Sequence, residues 1–299
     1  MSFTDETFGE YVPKSDNPDW ILRYYPTVKD AVDDAVKRSK TDGASHTSSD
    51  GWAGATWREA IDLGRNGWDA VRPKVDAILT PVRDKLATIL DVADEPSFDI
   101  MGFEPDIDRY LANEVESMRE YMPVLAPAKG KVFNLLIDGC FNSGVSADKV
   151  FRTGAAIAAL VESMQILGFD MNIYVETNVE PGWSRKGDRG TWKNYCTLTR
   201  VHRAGENLDI NNVMFPIGHP GWLRRIVFSI QEGESKPVRD HFGFHDGNGY
   251  GRPVTAMCDD LVEASFIMSL AKDHRLLYDN PVEWVLSQLE AQGVWERES

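Results

Sequence analysis

The sequence is short of cysteine, short of positive charge and without any long apolar run, and each shortage excludes a class of protein. Only three cysteines, Cys140, Cys196 and Cys258, occur in 299 residues. They are far apart and odd in number, which argues against a secreted disulfide framework and against clustered metal ligands, and fits a reducing cytoplasm. No metal or cofactor is expected. With 32 basic against 47 acidic residues the net charge is -15, so the surface as a whole repels nucleic acid and anionic membrane. No apolar stretch approaches the roughly 20 residues of a membrane span. Residues 1–10 carry three acids and no apolar core, unlike a signal peptide. The expectation is a soluble, intracellular chain. Its composition, 42% hydrophobic and 26% charged, is globular and sufficient for one large domain or two smaller ones.

The charge is uneven. Residues 1–128 hold 14 basic and 25 acidic side chains, residues 129–299 hold 18 and 22. The first half reads as mainly helical. A surface helix is expected over 27–39 and a loop over 43–54. Thr56 with Glu59 has the spacing of a capping box, and Trp57, Ala60, Ile61, Gly64 and Trp68 then form one apolar stripe. Apolar periodicity continues over 71–92, with a helix start near Pro73 and a kink or restart at Pro81. Another helix is expected over 107–122, before Pro123 and Pro127.

In the second half, residues 132–137 form an apolar run that suits a central strand, ending at Asp138. Ser146 caps a long helix over 147–167, apolar nearly all round, that stops at Gly168. Residues 171–179 and 195–202 are expected to form a hairpin with a long tip. A helical stretch over 211–223, a buried strand over 225–230, and helices over 254–273 and 281–292 complete the reading. The fold class is α/β: a mainly helical, acidic region over 1–128, then a three-layer domain with a mostly parallel sheet over 129–299.

Several segments carry candidate chemistry. The turn Asp138-Gly-Cys-Phe-Asn-Ser143 leaves the carboxyl end of a central strand, where open α/β sheets bind ligands. Asp138, Asn142 and Ser143 are therefore candidate binding residues, although a thiol at 140 and an amide at 142 are poor ligands for a hard cation, and the same residues suit a self-bonded turn. Asp138-x-Cys140-x-Asn142, after an apolar strand and before a small-residue helix and a hairpin, resembles a degenerate von Willebrand factor A domain. That resemblance, over residues 130–235, implies an Asp-x-Ser-x-Ser type metal-dependent adhesion site from which both serines are missing.

A second resemblance spans more of the chain. Gly51-Trp-Ala-Gly54 with Trp57, Ala60 and Gly67-Trp68, then Gly154-Ala-Ala-Ile-Ala-Ala-Leu-Val161, then His219-Pro-Gly-Trp-Leu-Arg-Arg-Ile-Val-Phe228, resemble a family of uncharacterised tailed-bacteriophage proteins. What this implies is a viral origin and a place in the host cytoplasm or virion; that family supplies no catalytic residues.

The hairpin tip reverses the sign of the charge. Between 181 and 203 six basic residues, among them Arg185, Lys186, Arg189 and Lys193, face only Asp188, and Trp183, Trp192 and Tyr195 interleave with them. Such a mixture neutralises phosphates and stacks bases, and it equally suits an acidic protein surface or a plain solvated hairpin. His241-Phe-Gly-Phe-His245-Asp246, in a glycine-rich loop, offers two imidazoles and a carboxylate that could lie over Asp138. His219, Trp222, Arg224 and Arg225 read as packing, with the arginines paired to acids. The function expected is a binding protein without chemistry, acting on a phage or host protein through the upper loops. Single-stranded nucleic-acid binding at the hairpin is one alternative. Metal-assisted hydrolysis by Asp138, His241, His245 and Asp246 is another. Oligomeric state is open.

Overall fold

The computed structural model describes residues 11–14, 17–92, 97–101, 104–112, 114–120, 132–182, 192–244, 249–254, 258–270 and 275–291. Its first half begins with two paired antiparallel strands, β1 (Tyr11–Lys14) and β2 (Asn17–Tyr25). Helix α1 (Val28–Arg38) follows because Thr27 caps it: its Oγ1 accepts from the Asp30 amide at 3.1 Å, with Asp30 at the positive end of the dipole and Lys37 and Arg38 at the negative end. The stretch expected as a loop over 43–54 instead forms two single turns, α2 (Ala44–Thr47) and α3 (Asp50–Ala53). Helix α4 (Trp57–Asn66) opens on the full capping box of Thr56 and Glu59. A 3-10 turn, Asp69–Val71, leads into α5 (Arg72–Val92), which runs through Pro81. Val75, Leu79, Val82 and Leu86 are almost wholly buried, and their burial, at roughly 1.5–3 kcal/mol each, exceeds the ~3 kcal/mol that an interior proline costs.

The long helix expected over 107–122 does not form. Strands β3 (Ser97–Asp99), β4 (Glu104–Pro105) and β5 (Met118–Glu120) build a small antiparallel sheet around a short α6 (Ile107–Leu111). Asp106 caps α6, but its own amide is claimed by the Ser117 carbonyl at 2.7 Å, and the Glu114 amide turns back to Arg109, so the chain reverses after little more than one turn.

The second half supplies β6 (Val132–Asp138), α7 (Ala147–Ile166), β7 (Asp170–Glu180), β8 (Asn194–His202) and α8 (Ile210–Gly218). A π-helical turn, Trp222–Val227, continues into α9 (Phe228–Glu232) and then α10 (Lys236–Phe242). The chain closes with β9 (Arg252–Pro253), β10 (Phe266–Ser269), α11 (Arg275–Asp279) and α12 (Pro281–Ala291). The expected strand over 225–230 is thus helical. Its apolar run suits a buried strand or an all-round buried helix equally well, and here Trp222 to Val227 are buried on every side. Conversely the expected helix over 254–273 is a turn followed by β10, whose four residues pair with β6.

The main sheet runs β1-β2-β8-β7-β6-β10, with β9 on the end of β7. Pairings β10–β6, β6–β7 and β2–β8 are parallel and carry most of the register; β7–β8 is the antiparallel hairpin expected. Because β2 joins the sheet from the first half, the sheet and the core run across the boundary drawn near residue 128. One face lies under a helical layer: Leu135 and Ile137 of β6 and Ile173 and Val175 of β7 share a cluster with α1, α5, α7, α8 and α12. The other face, with Leu22, Leu136, Cys196 and Leu198, is covered by the 258–264 turn. The result is a three-layer α/β arrangement. Helices α7 and α8 cross backbone to backbone: a Cβ on Gly154 would lie 2.4 Å from Gly218 Cα.

Candidate ligand-binding cleft

Strand β6 delivers Asp138 to the carboxyl end of the sheet, and the chain turns at once at Gly139, where a Cβ would lie 2.9 Å from Val175 Cγ1. The turn bonds to itself. Asp138 is buried, its Oδ1 accepts from the Cys140 amide at 3.1 Å and its Oδ2 from Ser269 Oγ at 3.1 Å, and burial raises its carboxyl above the usual range. Asn142 Oδ1 accepts from the Gly144 amide at 3.0 Å, and the Ser143 carbonyl accepts from Trp52 Nε1 at 3.2 Å. Burial pushes the Cys140 thiol far up. A buried neutral thiol and an amide already committed to its own turn do not fit the divalent-cation site that the von Willebrand resemblance implies.

Beside this turn, at the carboxyl ends of β6 and β7, opens a cleft of about 330 Å³. Its walls are Phe141 of the turn, Trp52 of α3, Arg224 of the π-helical turn, Phe228 and Gln231 of α9, and Tyr250. Phe228 and Tyr250 stack with centroids 3.8 Å apart, and the Tyr250 hydroxyl donates to Glu232 Oε1 at 2.5 Å. The wider π-helical turn lets two successive arginines both face the 44–55 loop. Arg225 makes four bonds there: Nε donates to the Ala55 carbonyl, Nη1 to the Ser45 carbonyl, and Nη2 to the Ser48 carbonyl and the Asp50 carboxylate, all at 2.8 or 2.9 Å.

Arg224 is different. Only 2% exposed, it donates through Nη1 to the Trp52 carbonyl and through Nη2 to the carbonyls of Val145 at 2.8 Å and Ser143 at 3.4 Å. Its guanidinium lies 4.3 Å from the Trp52 ring and 5.2 Å from Phe141. Among the described residues no carboxylate meets it, and burial alone brings its pKa down to about 10. The sequence-based pairing of both arginines with acids therefore holds for Arg225 and fails for Arg224. Two turns further on Gln231 is 0% exposed, and among the described residues neither its amide nitrogen nor its oxygen has a partner. A buried polar group left unmatched costs roughly 1–3 kcal/mol, and in a cleft wall a water or a ligand can supply the missing partner.

The other expected site residues do not converge here. His241 Nε2 lies 2.6 Å from the Trp192 carbonyl, so that nitrogen carries the hydrogen and donates. The imidazole packs edge-on against Trp192 and Phe242, at the base of the hairpin and not with Asp138. Tyr195 is fully buried and donates to Glu234 Oε1 at 2.8 Å, which corrects its expected role as a stacking surface. Trp192 is half-buried and Lys193 exposed. Trp183, Arg185, Lys186, Arg189, His245 and Asp246 lie outside the described residues. Sequence reasoning missed Trp52 and Gln231 as site residues. The one available signal was that the Gly51-Trp-Ala-Gly54 and His219–Phe228 blocks sit in a single resemblance; in space they touch, Gly54 against Pro220 and Trp52 against Arg224.

No described helix is long and apolar enough to cross a membrane. Residues 11–294 match the family model described as Domain of unknown function (DUF7192), and the chain belongs to that family. No curated protein and no solved structure matches it.

Proposed function

We propose that this member of the DUF7192 family is a non-catalytic binding protein whose upper cleft captures an anionic group flanked by an apolar one, presented by a protein partner. The observation that carries the reading is the buried, acid-free guanidinium of Arg224 in an aromatic-walled cleft. Its three carbonyl contacts leave Nε–H and one Nη1 hydrogen, which point to opposite sides of the guanidinium, so an anion such as a carboxylate is met through a single charge-assisted hydrogen bond from one of them. Gln231 adds an amide for a second polar contact, and the Phe228–Tyr250 stack adds apolar area.

The succession β6, long helix α7, hairpin β7–β8 supports a von Willebrand A-like reading in which the loops bind without the metal. The phage origin, with a place in the host cytoplasm or virion, rests on the resemblance of the three sequence blocks; the first and third of these meet at the cleft, Trp52 against Arg224. The hydrolase alternative has less support, since Asp138 bonds to Cys140 and Ser269 while His241 bonds to Trp192. The nucleic-acid alternative has lost Tyr195 to the core.

Selection of a bead-displayed random peptide library on the purified chain tests the reading. Enriched peptides should carry an aspartate, glutamate or free carboxyl terminus beside an aromatic or aliphatic residue, and Arg224→Met should not retain them. Enrichment of basic peptides, or equal retention by Arg224→Met, would refute it. Tight oligothymidylate binding that weakens steeply with salt would favour the hairpin instead.

A further inference from the structure

We infer that Glu176, Cys196 and Cys258 form a buried site for one soft divalent metal ion, with zinc the best match. The group lies away from the cleft, on the sheet face opposite α7, and is independent of the reading above. In the β7–β8 pairing Glu176 stands opposite Leu198 and Asn178 opposite Cys196, so the carboxylate and the thiol sit diagonally on one face. Cys258 reaches the same face from the turn that covers it, its amide donating to Glu176 Oε2 at 3.0 Å. The two Sγ atoms are 3.3 Å apart, and all three donor atoms lie within 4.8 Å of one another.

That spacing is close to a coordination shell. Zinc–sulfur bonds of about 2.3 Å and zinc–oxygen bonds of about 2.0–2.2 Å, set at tetrahedral angles, hold donors roughly 3.3–3.8 Å apart. Small side-chain shifts therefore suffice to bring the three donors to bonding distance. Two thiols with one carboxylate favour zinc over magnesium or calcium. None of the three residues is more than 1% exposed, and Leu22, Leu136 and Leu198 pack around the thiols, a shell that keeps competing water out. Burial holds the Cys196 thiol well above its ordinary pKa, so without an ion it stays protonated. Binding would release both thiol protons. The spacing of 62 residues between the cysteines hides the site from a sequence search, because the donors come from three segments that only the sheet brings together.

Elemental analysis of the chain, purified without chelator from zinc-supplemented culture, should find one zinc per chain. Titration of the metal-free chain with cobalt(II) should give a near-ultraviolet thiolate-to-cobalt band. Cys196→Ser and Glu176→Gln should lower both signals, while Cys140→Ser, the third cysteine and outside the group, should keep them. The wild-type cobalt spectrum decides even where a variant fails to fold. A wild-type chain with both thiols free and no cobalt–thiolate band overturns the inference, as does recovery of a Cys196–Cys258 disulfide from chain prepared under reducing conditions.

Discussion

Replacing Gln231 by leucine should make the free protein more stable and the ligand-bound protein weaker, a combination that a merely structural glutamine would not give. The side chain is 0% exposed and both polar ends are unmatched. Leucine has nearly the same volume and asks for no partner. Relief of unmatched amide atoms is worth about 2 kcal/mol by the usual cost of a buried unsatisfied group. For a chain of 299 residues that corresponds to a rise in Tm of about 3 °C, against the general tendency of substitutions to destabilise. A peptide selected by the wild-type cleft should meanwhile lose about 1.5–3 kcal/mol, which is a loss in affinity of roughly 10–150-fold, because the amide contact to a charged group disappears. Differential scanning calorimetry and peptide titration followed by tryptophan fluorescence, with Trp52 in the cleft wall as reporter, measure the two effects. If Gln231→Leu lowers Tm and leaves peptide affinity unchanged, the amide is doing internal work and the assignment of the cleft fails.

Three further outcomes follow from the fold. Gly154→Ala should lower stability by about 1–3 kcal/mol, because its Cβ would lie 2.4 Å from Gly218 Cα and backbone cannot move aside as a flexible side chain can; thermal unfolding by circular dichroism reads this, and an unchanged Tm would mean that α7 and α8 are not in contact. Burial holds the pKa of His219 down at about 4, so the folded state keeps it neutral while the unfolded chain takes up a proton below about 6.5. The unfolded state then binds more protons, stability is full above that pH, and about 3 kcal/mol is lost as pH falls from about 6.5 to 4. His46 and His202 are shifted the same way. His219→Asn should flatten most of this slope in denaturant titrations at stepped pH, and an unaltered slope would assign it elsewhere. Glu234 receives Arg23 through two bonds of 2.7 and 2.8 Å and the Tyr195 hydroxyl at 2.8 Å. Glu234→Gln removes the carboxylate opposite the buried Arg23 charge and should cost about 3–5 kcal/mol in urea unfolding; a loss below 1 kcal/mol, under the usual ~3 for a broken buried pair, would show the charge to be compensated by other groups.

Local signals alone specified many of the elements. Thr56 and Ser146 cap the helices they were expected to cap, since a hydroxyl at that position satisfies an orphan amide whatever surrounds it. The run ending at Asp138, the helix over 147–167 and the β7–β8 hairpin were legible for the same reason: length, periodicity and end signals agreed. Where they did not agree, packing decided. Residues 225–230 are apolar enough for a strand or an enclosed helix, and only the surrounding α1, α4 and α8 make them helical. Residues 266–269 became a strand because β6 had an open edge to pair with.

What the sequence determined by itself is therefore the α/β class, a turn after the apolar strand ending at Asp138, the acidity of the first half, and several helix starts. Each of these depends on neighbours along the chain or on composition. Tertiary structure alone decided that β2 joins the sheet, that among the described residues Arg225 finds an acid while Arg224 finds none and Gln231 finds no partner, and that Cys196 meets Cys258. Those facts depend on which segments, 62 to more than 170 residues apart, come into contact, and on how much water their contact removes. A sequence read along its length carries no direct record of either.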